Sequence, residues 1–82
     1  MNRQKFAVIG IGQFGRAIAR ALSKSGAEVM AIDIEGDLIE SMADEVAYAV
    51  ALDATDKKAL LSQDIKDYHT VVVAIGDRKS VV

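Results

Sequence analysis

Apolar and polar positions fall in blocks along this chain, and each block carries the period of one kind of secondary structure. Lys5-Phe6-Ala7-Val8-Ile9 is a short, almost continuous apolar run closed by Gly10, the pattern of a strand covered on both faces. From Gln13 to Ser25 the period changes. Phe14, Ala17, Ile18, Ala21 and Leu22 recur at i, i+3, i+4, i+7 and i+8, which predicts a helix with one apolar stripe against a sheet and Gly26 as its stop. Arg16, Arg20 and Lys24 repeat on another face of that helix. Val29-Met30-Ala31-Ile32 predicts a second buried strand. Gly36 to Glu45 predicts a second helix with Leu38, Ile39, Met42 and Ala43 inward. Ala47 to Leu52 reads as a third strand, and Asp53-Ala54-Thr55-Asp56 as a turn. Thr55 or Asp56 there can cap a short helix over Lys57 to Gln63. Thr70-Val71-Val72-Val73-Ala74-Ile75 is β-branched and uninterrupted, the signature of a fourth strand, closed by Gly76.

The order βαβαβαβ predicts an α/β fold: a parallel sheet with helices on both faces, Rossmann-like, with strand order 3-2-1-4. Only Asp77 to Val82 come after the fourth strand. Residues 1–82 therefore read as the N-terminal part of a dinucleotide-binding domain, truncated after that strand. Without Pro, a Ser/Gly-rich linker or an internal repeat, the sequence offers no domain boundary.

Candidate chemistry lies where the first strand meets the first helix. Gly10-Ile11-Gly12-Gln13-Phe14-Gly15 has the GxGxxG spacing, and Asp33 closes the second strand. Each residue answers one need of a ligand with two phosphates and a ribose. Gly10 lets the chain turn sharply, Gly12 lets a pyrophosphate approach the backbone, and Gly15 lets the helix pack closely. The helix start supplies N–H groups and the positive end of a dipole. Asp33 can accept hydrogen bonds from ribose hydroxyls, and its charge disfavours a 2′-phosphate. The plain alternative is a glycine turn without a ligand and an Asp that only caps the next helix.

Composition narrows the class. With 82 residues, 51% hydrophobic content and a net charge of −2, the chain reads as one small globular unit with no basic surplus for nucleic acid. Absence of Cys removes disulfides and thiolate metal sites. No apolar run approaches the roughly 18 residues of a membrane span, so a soluble intracellular location is the expectation. No acid, base or nucleophile is placed to act on a substrate, which favours a binding module over an enzyme.

With these residues in place, the chain resembles the nucleotide-binding domains that regulate conductance of potassium (RCK or KTN domains, also TrkA-N). The resemblance runs through Phe6 to Gly15, Val29 to Asp33, Ala51-Leu52-Asp53-Ala54-Thr55-Asp56 and Val72-Val73-Ala74-Ile75-Gly76. It implies regulation rather than turnover: NAD(H) or ATP/ADP as ligand, and homo-oligomers, either dimers or octameric rings. It also implies a Trk/Ktr-type potassium-translocating membrane subunit as partner, and a place at the cytoplasmic side of the membrane through that partner. Carried onto this chain, it makes Gly10, Gly12, Gln13, Phe14 and Gly15 the phosphate loop. Asp33, with Ile34 beside it, would hold the adenosine ribose. Asp53 and Ala54, followed by Thr55, would border the adenine, and Ala74, Ile75 and Gly76 would floor the phosphates. Some members carry Arg where this chain has Gln13; the nearest cation here is Arg16.

Other readings stay open. An NAD-dependent dehydrogenase fragment has the same fingerprint, and a methyltransferase-like site also joins a glycine turn to an acid. Asp53 suits a turn as well as an adenine contact. His69 reads as a polar residue at a strand edge, and Tyr48 and Phe14 as core or pocket-wall residues.

Overall fold

Among the described residues, four strands and three helices succeed one another as the alternation predicts. The structure, a computed structural model, describes residues 4–63 and 68–74. The elements are β1 (Lys5–Ile9), α1 (Gln13–Lys24), β2 (Glu28–Asp33), α2 (Gly36–Met42), β3 (Tyr48–Ala51), α3 (Lys57–Leu61) and β4 (Thr70–Val73). All pairings are parallel and the sheet order is β3-β2-β1-β4. This is the Rossmann-like arrangement with the expected order 3-2-1-4.

The register divides the core in two. Val8, Val29 and Ala31 point to the face covered by α1 and α2, where they meet Ala19, Ile39 and Met42. Ile9, Met30 and Ile32 point to the other face, against Leu60 of α3. Both central strands are thus buried on both sides, which is why their sequences are apolar without alternation.

Two expectations need correction. The apolar stripe assigned to α1 is turned: Phe14, Ala17 and Ala21 are exposed, while Gly15 and Ala19 are buried and Ile18 and Leu22 half-buried. The close approach of Gly15 to the turn after β1 fixes the rotation of the helix, and the period alone does not select between neighbouring stripes. Likewise α2 ends at Met42 rather than Glu45. The chain tightens there through Ala43 N–H to Glu40 O (3.3 Å) and Glu45 N–H to Met42 O (2.9 Å). That turn brings Val46 into the core and Glu45 to Arg20 of α1. Smaller differences sit at element ends: β3 and α3 are shorter than expected, and Asp56 rather than Thr55 caps α3, accepting from Ala59 N–H at 3.2 Å. Ile75, assigned to the fourth strand, lies outside the described residues.

Candidate functional site

Parallel strands bring their carboxyl ends to one edge of the sheet, and the candidate residues collect there. Gly10 leaves β1 at φ 96°, a conformation that L side chains rarely adopt, while its N–H still bonds Ile32 O at 2.8 Å. Gly15, in the first turn of α1, lies against that same residue: a Cβ on it would stand 1.8 Å from Gly10 O. Helix and turn can meet this closely only without a side chain. Gly12 is the N-cap residue of α1 and makes no side-chain cap, and no acidic residue occupies the first turn. The helix start therefore keeps its positive dipole end uncompensated by carboxylates of its own first turn.

Asp33, at the end of β2, faces this loop. Its Oδ2 accepts from Ile11 N–H at 2.6 Å and its Oδ1 from Glu35 N–H at 2.8 Å. Glu35 is the N-cap residue of α2, so Asp33 closes the turn that leads into the helix, where the plain alternative made it the cap itself. It also reaches across to the glycine loop, which that alternative did not include. An ionised carboxylate has about four acceptor positions. Two are filled here by backbone, and acceptor capacity for two hydroxyls remains.

The β3 end is tied to the same place by Leu52 N–H to Asp33 O at 3.0 Å. Just beyond it, Asp53 Oδ1 accepts from both the N–H and the hydroxyl of Thr55, at 2.9 and 2.6 Å. These bonds hold the Asp53 carboxyl below its ordinary pKa, with the hydroxyl bond as the larger cause. Turn chemistry thus accounts for Asp53 and Thr55, and Ala54 is half-buried beside them. Ala74 N–H bonds Ile9 O at 2.8 Å, and its Cβ lies near the inner side of Gly15, so the end of β4 adjoins the glycine turn. Gln13, Phe14 and Ile34 are exposed at this edge, Phe14 at 58% and Ile34 at 64%. Phe14 is therefore not a core residue. Ile75 and Gly76 lie outside the described residues.

Several contacts escaped the sequence reading. Ile11 is buried and joins Asp33 through its backbone, a bond no residue type announces. Arg20 grips Glu45 with both ends of its guanidinium, and Ser23 Oγ donates to Glu45 O at 2.6 Å. The spacing of Arg16, Arg20 and Lys24 was the available signal, without a partner to match it. Arg16 Nη2 donates to Ser41 Oγ at 2.7 Å, which directs it to α2. His69 serves the strand edge as expected: its Nδ1 accepts from Lys5 N–H at 3.0 Å and its own N–H bonds Lys5 O. Tyr48 is exposed rather than core and lines a cleft of about 270 Å³ at the opposite, amino-terminal edge of the sheet. Among the described residues no group of His, Cys, Asp and Glu could hold a metal ion, and no helix is long and apolar enough to cross a membrane.

The model of the TrkA-N domain matches residues 6–82. The chain belongs to the TrkA-N family. It is 43% identical over 75 residues to Ktr system potassium uptake protein C of Bacillus subtilis, covering 92% of this chain and 34% of that protein. It is 40% identical over 76 residues to Ktr system potassium uptake protein A of the same organism, covering 93% and 34%. A glycerol-3-phosphate dehydrogenase [NAD(P)+] of Streptococcus gordonii is 33% identical over 82 residues, all of this chain and 23% of the enzyme. This TrkA-N chain spans about a third of the length of the potassium uptake proteins it matches.

Proposed function

We propose that this TrkA-N chain binds an adenine nucleotide, NAD(H) or ATP/ADP, as the sensing part of a regulatory subunit of potassium uptake. In this reading the diphosphate rests on the N–H groups that open α1, at Gly12, Gln13, Phe14 and Gly15, and the ribose diol bonds Asp33. The carrying observation is the carboxylate of Asp33 standing beside an uncapped helix start, with acceptor positions left for two hydroxyls. Exposed Ile34, next to that acid in the chain, and exposed Phe14, in the first turn of α1, offer apolar surface for the base and a neighbouring group. Ala54 and Ala74 border the crevice.

The Ktr names of the relatives motivate the physiological half of the proposal. The chain works on the cytoplasmic face of a potassium-translocating membrane subunit, as a homo-oligomer. Nucleotide biases the subunit arrangement only through its different affinity for two arrangements. Calorimetric titration of the protein as expressed from its gene, with NADH, ATP and ADP, tests the nucleotide step. Binding of at least one supports the reading, and a folded protein that binds none of the three ends it.

The similarity to an NAD(P)-dependent dehydrogenase favours one second reading, a cofactor-holding part of an enzyme. The sequence of the full gene separates the two readings by the kind of domain found beside this one. One with a catalytic Lys or His supports the enzyme; a second small ligand-binding domain supports the regulator.

A further inference from the structure

We infer that Asp33 is a positioning residue for the phosphate loop, a latch that shapes the loop before any ligand arrives. The inference rests on the nucleotide reading and adds to it how the site is held in its binding shape.

The glycine loop has little else to define it. Gly10 and Gly12 lack side chains, and Ile11 points its side chain into the core between the sheet and the helices. Gly10 N–H is fixed to Ile32 O at 2.8 Å, and Arg16 N–H to Gly12 O at 2.9 Å. Between these two anchors, the bond from Ile11 N–H to Asp33 Oδ2 crosses from one strand end to the next, over 22 positions of sequence. The other oxygen of the same carboxylate is held by Glu35 N–H. One side chain therefore ties the loop after β1 to the turn before α2, with two charge-assisted bonds. Ile11 N–H is taken by Asp33, so the N–H groups left to an anion begin at Gly12. Ribose hydroxyls meet a carboxylate whose other contacts set the phosphate loop, so sugar recognition and phosphate recognition are coupled through one group.

The sign of an electrostatic effect separates this role from simple ribose contact. A carboxylate close to a pyrophosphate repels it, so removing Asp33 raises affinity for inorganic pyrophosphate if the residue touches only the sugar. If Asp33 is the latch, its removal disorders the loop, and pyrophosphate affinity falls although a repulsive charge has gone.

The experiment compares the parent protein with Asp33→Ala and Asp33→Asn, each checked for folding by circular dichroism. Asn keeps the shape of the side chain but has one acceptor oxygen for two N–H donors. It therefore serves if the alanine variant does not fold. Two readouts are taken: hydrogen exchange at the Ile11 amide without ligand, and binding of inorganic pyrophosphate. The expected result is Ile11 exchange faster by about tenfold or more, Gly10 exchange unchanged, and weaker pyrophosphate binding. Unchanged exchange at Ile11, or pyrophosphate affinity equal to or above the parent, overturns the latch. If the parent binds neither pyrophosphate nor any nucleotide, the nucleotide reading fails, and Ile11 exchange alone decides whether the latch exists.

Discussion

Gly15 lies so close to Gly10 that a Cβ on Gly15 would stand 1.8 Å from the Gly10 carbonyl oxygen. The obstacle is backbone, which cannot swing aside as a flexible side chain can. Gly15→Ala must push α1 off the turn and is expected to cost about 3 kcal/mol or more, the upper end of overpacking penalties. Gly36 gives the opposite expectation. Nothing lies within 4 Å of its would-be Cβ and it stands in the first turn of α2, so Gly36→Ala should stabilise by about 0.5–1 kcal/mol. Urea midpoints of the two variants, moving in opposite directions, check both.

Gly12 needs no special backbone conformation: φ −84° and ψ −162° are open to any residue. Its requirement is space in front of the helix start. Gly12→Val should therefore keep the fold and abolish nucleotide binding. Retained affinity in calorimetry moves the site elsewhere.

Acid should loosen two specific contacts. The Arg20 guanidinium holds Glu45 below the usual carboxylate range, mainly by their hydrogen bond, and Thr55 does the same for Asp53. A lowered folded-state pKa means the stabilisation is fully present above the unfolded value, about 4 for such groups, and is lost as pH falls through the folded value. The chain should lose stability on acidification below about pH 4. Glu45→Gln should flatten that loss, and identical pH profiles for parent and variant would contradict the assignment.

β4 is an edge strand of the sheet among the described residues, and it exposes Val71 at 43% and Val73 at 62%. Association that grows with concentration is expected, and Val73→Lys should reduce it. Light scattering across a concentration series reads this directly, and a parent that stays monomeric throughout refutes it.

Much of this chain was legible in one dimension, because its elements are set by local rules. Continuous apolar runs mark strands buried on two faces, and the glycine spacing marks the turn between β1 and α1. The order of blocks then leaves a parallel sheet with β1 and β2 at its centre. Asp33 was legible as the acid closing β2, and Gly10 and Gly15 as positions that exclude a side chain. The helix rotation was not. Phe14, Ala17 and Ala21 share the helical period equally well with Gly15, Ile18, Ala19 and Leu22, and only contact between Gly15 and Gly10 chooses between them. The partners of Asp33 were hidden for a different reason. Its bonds go to the N–H groups of Ile11 and Glu35, and every residue but proline carries such a group, so side-chain identity gives no sign of them. The early end of α2 belongs with these, since Glu45 leaves the helix to meet an arginine on a neighbouring element. Sequence determined which segments form strands and helices and where a phosphate loop can exist; tertiary packing decided how α1 is turned and that Asp33 holds Ile11, because the first depends on how closely helix and turn pack and the second on two strand ends 22 positions apart being brought together.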